Sequence, residues 1–183
     1  MKMIKNILLG ICLMIGIVGC SRPEVKINTL NSTAESVMTA IQKEMADKSG
    51  LVFLNGTIVD ETTGKPLYKL MDMTSEKEVE FFPSAKHFQM ENIKSGYILE
   101  PLDSTGSSEL IIVIEMYNNK SSDEVYHALQ KVLSDQEVYW TDHLANEHQV
   151  LKDNIIEAQG NFYLYVTSRN RSKIIEAFQI EVS

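Results

Sequence analysis

Residues 109–117, with the sequence ELIIVIEMY, decide the fold of this chain. The run is apolar and rich in β-branched side chains, a composition typical of a central strand in a sheet. A second strand-like run, SGYILEPL, comes before it at residues 95–102. The turn-forming residues 103–107 join the two runs. We therefore predict that both runs are strands of one sheet and that 109–117 lies inside it.

A similar order of elements follows residue 117. Ser121 and Glu124 have the spacing of a capping box, and apolar side chains then recur at helical intervals. Gly160-Asn161 is a hairpin signal between two further strand-like runs. The predicted elements, in chain order, are a helix at 122–147, strands at 154–159 and 162–168, and a helix at 171–179. The two halves share a local pattern, which an old duplication and common physical constraints explain equally well.

The segment before residue 95 predicts a helix and a hairpin. The stretch STAE at 32–35 has the form of a capping box, and apolar residues follow at helical spacing. We predict an amphipathic helix over 33–48, which Gly50 can end. The run 51–60 is strand-like and contains the hairpin signal Asn55-Gly56.

From residue 95 onward the predicted order is β-β-α-β-β-α. This order predicts an α+β fold, in which an antiparallel sheet of about four strands has helices packed on a face. The N-terminal helix at 33–48 precedes this unit. A mature chain of about 160 residues suits one domain with one core. We therefore predict a single α+β domain over residues 32–183.

The N-terminal residues have the form of a secretory signal. Residues 1–5 carry two lysines and no acidic residue, and residues 7–18 (ILLGICLMIGIV) form an unbroken apolar run. A basic start followed by ~7–15 apolar residues is typical of an export signal. The run is shorter than the ~20 residues that a membrane-spanning helix needs. We predict a signal peptide over 1–19 and a polar tether over 20–31.

The apolar run ends in Ile17-Val18-Gly19-Cys20. This ending resembles a lipobox, the cleavage site of bacterial lipoproteins. The resemblance implies cleavage between Gly19 and Cys20 and a diacylglyceryl thioether on Cys20. Two acyl chains hold a protein stably on a membrane, whereas one is marginal. We therefore expect an extracytoplasmic protein, lipid-anchored to the bacterial cell membrane through Cys20. The alternative is an uncleaved signal anchor with an incidental cysteine.

Charge and cysteine content exclude several classes of function. The chain has 17 basic and 25 acidic residues, and loss of Lys2 and Lys5 with the signal leaves a net charge of about −10. Such a chain is repelled by phosphate backbones, so we predict no nucleic-acid partner. Cys12 leaves with the signal, and Cys20 is predicted to carry lipid. No free thiol then remains for catalysis, zinc binding or redox chemistry.

The spacing of polar residues offers no catalytic or metal-binding motif. His143 and His148 are five positions apart, whereas a helical zinc motif places two histidines four apart. Neither a G-x-S-x-G nucleophile elbow nor a glycine-rich phosphate loop occurs in the sequence. We therefore predict no catalytic residue, no metal site and no cofactor.

One strand offers a candidate binding face. Alternation in the run FYLYV places Phe162, Leu164 and Val166 on one face and Tyr163 and Tyr165 on the other. We expect the long helix to pack its apolar stripe on the first face. Tyr163 and Tyr165 then form an exposed aromatic pair suited to a glycan or a protein. The alternative is that the N-terminal helix buries its apolar stripe against the tyrosines.

Three stretches carry a family resemblance: the strand ELIIVIEMYN, the helix start SSDEVYHALQKVL and the closing pattern NIIEAQGNFYLYVTSRNRSKIIEAF. Together they resemble the domain of unknown function 4358 family, a family of uncharacterised bacterial lipoproteins. The resemblance extends over about Leu67 to Val182. It implies the α+β fold and a location at the cell envelope, and it implies no activity because the family has none established.

These observations predict a non-enzymatic, lipid-anchored envelope protein that binds a partner protein or a cell-wall glycan. The alternative is an envelope hydrolase or transferase whose site no sequence motif marks. A deep pocket with convergent polar groups would favour the enzyme, and shallow grooves would favour the binding module.

Overall fold

The computed structural model describes residues 32–47, 50–103, 105–142 and 144–183. The predicted signal peptide over 1–19, its cleavage motif, Cys20 and the tether over 20–31 lie outside the described residues. His143 also lies outside them.

The described residues form five α-helices and seven strands. The helices are α1 (Ala34–Ala46), α2 (Glu76–Val79), α3 (Ser122–Trp140), α4 (Ala145–Lys152) and α5 (Arg171–Glu181). The strands are β1 (Leu51–Leu54), β2 (Thr57–Asp60), β3 (Tyr68–Asp72), β4 (Ile93–Pro101), β5 (Leu110–Met116), β6 (Ile155–Gln159) and β7 (Phe162–Thr167). A 3₁₀ helix, Pro83–His87, follows α2.

The main sheet has five strands in the order β3-β4-β5-β7-β6, and every neighbouring pair is antiparallel. The run that opened the sequence analysis is the middle strand, and all residues of β5 are buried. The α+β fold with an antiparallel sheet and an N-terminal helix is therefore confirmed. The sheet has five strands where about four were predicted, because β3 pairs with β4 as an additional edge strand.

A separate two-stranded hairpin, β1 and β2, stands before the main sheet. Its turn is Asn55-Gly56, and both residues have positive φ angles, 50° and 82°. Glycine and asparagine tolerate this conformation better than other residues, which is why the pair is typical of tight hairpins. The side chain of Gln42 in α1 donates a hydrogen bond to the carbonyl of Gly56 at 3.1 Å and so ties the turn to the helix.

Helix α1 begins one residue later than its sequence pattern suggested. Thr33 is its N-cap, and the reciprocal capping contact is made with Ser36 rather than between Ser32 and Glu35. Its apolar stripe, which includes Val37 and Ile41, is buried. The helix therefore forms where an amphipathic pattern predicts one, and its packing supplies most of its stability.

Helices cover both faces of the main sheet, not one face as predicted. Helices α1 and α5 pack on the face that carries Phe162, Leu164 and Val166. Helix α3 packs on the opposite face, which carries Tyr163 and Tyr165. The expectation that the long helix covers Leu164 and its neighbours is wrong, because α1 and α5 cover that face and α3 covers the tyrosine face. A central strand whose residues are all buried agrees with this arrangement, since both of its faces need cover.

The single long helix predicted over 122–147 is two helices. Helix α3 ends at Trp140, and the Thr141 hydroxyl donates to the carbonyl of Glu137 at 2.6 Å. Trp140 is buried, whereas Leu144, one helical turn later, is 42% exposed. The core-facing stripe of α3 therefore ends at Trp140. A separate helix, α4, follows and buries Leu151. None of the helices in the described ranges has both the length and the apolar character needed to cross a bilayer.

Candidate functional site

The predicted aromatic binding face at Tyr163 and Tyr165 is not exposed. Both rings are buried, with exposed fractions of 2% and 0%. The Tyr163 hydroxyl donates to the carbonyl of Ser122 at 3.0 Å, and the Tyr165 hydroxyl donates to the side-chain oxygen of Gln136. Ser122 and Gln136 both belong to α3, so this helix covers the tyrosines. The two rings are core residues whose hydroxyls bond to α3, so they form no exposed binding face.

An open groove lies where the last turns of α3 pass the start of β5. Its volume is about 560 Å³, within the usual range of ~300–1,000 Å³ for ligand sites. The 3₁₀ helix Pro83–His87 forms a second wall, and Glu100 near the end of β4 contributes to the lining. Because β4 and β5 are antiparallel neighbours, the end of one strand and the start of the other meet at this edge of the sheet. Four distant segments of the chain therefore build this groove, which we call the α3 groove.

Apolar side chains form the α3 side of the groove. Val138 is 76% exposed and Tyr139 is 46% exposed, although both line the cavity. Trp140 beside them is buried, and its ring meets that of Tyr139 edge to face with centroids 5.0 Å apart. Phe82 contributes a buried ring from the opposite wall. Contiguous exposed apolar side chains beside a groove, as Val138 and Tyr139 are, are typical of a surface that contacts another molecule.

Glu109 lies at the entrance of β5 and lines the groove. The hydroxyl of Tyr68 donates to one of its carboxylate oxygens at 2.7 Å, and the hydroxyl of Ser168 donates to the other. Burial, together with the nearby charge of Glu109, raises the pKa of Tyr68. The phenol therefore stays protonated and remains a donor. Hydroxyl donors to both oxygens hold the Glu109 carboxylate in one orientation.

Glu100 is the half-buried carboxylate of the groove. Burial raises the pKa of its carboxyl above the ordinary value, and the charge of Lys69 on the neighbouring strand only partly opposes the shift. The ammonium of Lys69 lies over the ring of Phe81, 4.9 Å from its centroid, in a cation–π contact. No side chain among the described residues donates a hydrogen bond to Glu100.

Ser84, His87 and Asp135 meet beside the groove, but not as a catalytic triad. The Ser84 hydroxyl and the His87 ring nitrogen Nε2 both contact Oδ2 of Asp135 at 2.8 Å. Burial raises the pKa of Asp135, but the hydrogen bonds from His87 and Ser84 outweigh this effect and leave it below the ordinary value. In a triad the histidine accepts from the serine and the aspartate binds its other nitrogen. Here the aspartate joins the two residues, so this cluster ties the 3₁₀ helix to α3.

A second polar cluster supports the loop that precedes β5. The carboxylate of Glu147 is buried and accepts from the backbone N–H of Ser108 at 2.8 Å and from its hydroxyl at 3.0 Å. Arg169 forms an ion pair with the other oxygen. Gln136 also donates to the carbonyl of Ser108 at 3.3 Å. These bonds fix the position of residues 107–109, two of which line the groove.

We expect Glu147→Gln to lower the free energy of unfolding at neutral pH by about 1–3 kcal/mol, since charge-assisted bonds to buried donors are weakened. Burial raises the pKa of Glu147, but the bonds from Ser108 and Arg169 outweigh it, and the net pKa lies below the ordinary value. A carboxylate with a depressed folded pKa stabilises the fold above its unfolded pKa and loses that contribution as the pH falls through the folded pKa.

The measurement is urea denaturation across the acid range. The difference in stability between the wild type and Glu147→Gln should be largest near neutrality and should shrink as the pH falls below the ordinary glutamate range. Glu61→Gln, at an exposed turn, serves as the charge-matched control and should track the wild type. A constant difference at every pH would contradict the assignment of the charged cluster.

The histidines of the described residues are spread over separate elements. His87 binds Asp135, the His127 ring contacts Gln130 within α3, and His148 lies in α4. Within the described ranges, no group of three histidine, cysteine, aspartate or glutamate side chains could hold a metal ion.

Residues 88–168 match the family described as Domain of unknown function (DUF4358). The chain is similar to the DUF4358 family. The resemblance read from the sequence is thereby confirmed, although the match is shorter at both ends than the predicted extent of 67–182. It runs from the residue after the 3₁₀ helix to the residue after β7. No curated protein and no solved structure is significantly similar to the chain.

The DUF4358 match contains most of the α3 groove but not all of it. Glu100, Glu109 and the residues from Asp135 to Trp140 fall inside the match, whereas Phe82 to Lys86 lie before it. One wall of the groove is therefore supplied by a segment outside the matched region.

Sequence reasoning missed the residues of the α3 groove. Carboxylates are so frequent in this acidic chain that Glu100, Glu109 and Asp135 gave no separate signal. One available signal was the triplet Val138-Tyr139-Trp140. Three consecutive large apolar residues on a helix cannot all face one core, so at least one had to be exposed.

Proposed function

We propose that this chain is a lipid-anchored envelope protein, and that its domain binds a partner protein or a cell-wall glycan in the α3 groove. The observation that carries the binding role is the groove itself, a wide opening with exposed Val138 and Tyr139 beside oriented carboxylates. The lipobox resemblance at Ile17, Val18, Gly19 and Cys20 supports the anchor. The anchor would hold the domain outside the cell membrane, where such partners occur.

The chemistry of the groove favours binding over hydrolysis. A nucleophilic hydroxyl needs a base within hydrogen-bond reach and donors for the developing negative charge. Ser84 is buried and donates to Asp135, and His87 contacts that same carboxylate oxygen. Carboxylates at the groove would also repel an oxyanion. The envelope hydrolase or transferase therefore gains no support from this site.

Site-specific photocrosslinking in intact cells tests the proposed binding surface. A photoreactive amino acid is placed at Val138, which is 76% exposed at the groove, in the full chain. The matched control is Ile180, which is 70% exposed on α5, a helix that packs on the opposite face of the sheet. We expect a discrete adduct from position 138 and none from position 180.

The mass of the adduct separates the two classes of partner. A protein partner gives a sharp band that a cell-wall hydrolase leaves unchanged, whereas a glycan gives a ladder that the hydrolase removes. Equal adducts from both positions, or none from position 138, would refute the α3 groove as the binding surface.

A further inference from the structure

We infer that the α3 groove receives a lysine or arginine side chain from a basic segment of a partner protein. This inference rests on the proposed binding function and narrows it to one class of partner.

The charge of the α3 groove complements that of a cation. The described lining carries three carboxylates, those of Glu100, Glu109 and Asp135, and one ammonium, that of Lys86. Hydroxyl donors contact both oxygens of Glu109, and Ser84 and His87 contact Oδ2 of Asp135. The groove is therefore negative at neutral pH, and a cationic group would be attracted to it and a carboxylate or phosphate repelled.

Glu100 is the carboxylate of the groove that a cation would stabilise most. Its carboxylate is partly removed from water, and no side chain among the described residues donates to it. Lys69, its partner on the neighbouring strand, lowers the pKa of Glu100 only in part and places its ammonium over the Phe81 ring. A partly desolvated carboxylate gains most from an opposite charge that arrives with its own hydrogen-bond donors. A guanidinium or ammonium supplies both, and a neutral sugar supplies only the hydrogen bonds.

The apolar wall of the groove suits the stem of a long cationic side chain. Val138, Tyr139 and Trp140 lie on the α3 side of the same groove that holds the carboxylates. Lysine and arginine have an apolar stem and a charged head, so the stem can lie along apolar surface while the head reaches a polar partner. The exposed aromatic ring of Tyr139 also favours a cation near its face. A simple cation without a stem would leave this wall unused.

The volume of the groove matches a single long side chain. A groove of about 560 Å³ accommodates one long side chain with the short piece of backbone that carries it. It is open rather than enclosed, so a segment of a larger protein can lie across it. These features together favour a peptide segment over an isolated small amine.

The test uses two short probe peptides that differ only in charge. One is the amidated peptide Leu-Arg-Leu-Arg-Leu, and the other has citrulline, the neutral isostere, at both arginine positions. Binding to the full chain purified in detergent is measured by calorimetry and by the fluorescence of Trp140, the single tryptophan of the sequence. We expect the arginine peptide to bind at least about tenfold more tightly than the citrulline peptide. We expect this preference to weaken as salt is added.

Substitution of the carboxylate supplies the second readout. Glu100→Gln should weaken binding of the arginine peptide about tenfold and change binding of the citrulline peptide little. Glu61→Gln removes the same charge at an exposed turn and should leave both affinities unchanged. An effect of Glu100→Gln no larger than that of Glu61→Gln would overturn the inference.

A charge pair at one exposed position separates this inference from the proposed function. Val138→Lys should weaken binding of the arginine peptide, whereas Val138→Glu should preserve or strengthen it. If both substitutions weaken both peptides equally, the groove binds ligands but the cationic inference is wrong. If soluble cell-wall fragments bind and the arginine peptide does not, the inference is likewise overturned while the binding function stands. If neither peptide binds, the inference fails, and the crosslinking at position 138 still decides the proposed function.

Discussion

Tyr165→Ala is expected to lower the free energy of unfolding by about 3–5 kcal/mol, as aromatic truncations in a core do. The ring has no exposed surface and packs beneath α3, so its removal leaves a cavity that the sheet cannot fill. The substitution also removes the hydroxyl that donates to the side-chain oxygen of Gln136. This is a large share of the ~5–15 kcal/mol that typically stabilises a domain.

Two further variants resolve the contributions to this loss. Tyr165→Phe keeps the ring and removes the hydroxyl, so it should cost only about 0.5–1.5 kcal/mol, the usual worth of one hydrogen bond. Tyr117→Ala truncates a ring that is 65% exposed and should change stability by less than about 0.5 kcal/mol. Urea denaturation measures all three. A Tyr165→Ala variant as stable as Tyr117→Ala would mean that the tyrosine is exposed and would restore the aromatic binding face.

Cys20→Ala is expected to abolish lipid labelling and to release the protein from the membrane fraction. The proposed anchor is a thioether on the Cys20 sulfur, and an alanine offers no atom to carry it. Stable attachment needs the combined burial of two acyl chains at ~0.8 kcal/mol per methylene group, so its loss leaves nothing of comparable strength. Metabolic labelling with a fatty-acid probe, followed by fractionation, measures both effects.

Cys12→Ala is the matched control for the anchor. Cys12 lies within the apolar run and has no polar region directly after it. Its substitution should leave labelling and membrane attachment intact. Labelling that survives Cys20→Ala but is lost in Cys12→Ala would show that the lipobox has been assigned to the wrong cysteine.

The strands that the sequence marked clearly are those with strong apolar runs bounded by turn residues. β5 and β7 were placed within a residue or two, because their composition and the Gly160-Asn161 turn both indicate them. β3 was missed, because YKLMD mixes charged and apolar residues and buries only Met71 fully. It becomes a strand by pairing with β4, which is a tertiary contact that local composition does not encode.

The choice of helix for each sheet face was the main error of the sequence analysis. Alternation along β7 separates its two sets of side chains but does not tell which helix covers which set. The consecutive apolar residues Leu110 to Ile114 of β5 did carry a usable signal, because a strand segment without polar alternation must be covered on both sides. Applied to β7, its neighbour in the sheet, this signal would have argued against exposed tyrosines.

The candidate site was beyond sequence reasoning for a different reason. The α3 groove combines residues from four segments, and Ser84 and Asp135 alone are 51 positions apart. One sequence gives no means of pairing such distant residues.

The packing of α1 beside α5 affects when the domain can complete its folding. The hydroxyl of Ser32 donates to the carbonyl of Glu181 at 2.6 Å, across 149 positions of sequence, and α1 and α5 together cover one face of the sheet. That layer is incomplete until the last helix has been synthesised, and contacts between such distant residues form slowly. Because α1 cannot complete its packing before α5 has been synthesised, we expect the chain to stay less compact during synthesis. If the chain is exported as we propose, late closure of this layer would leave it uncompacted for passage through the membrane.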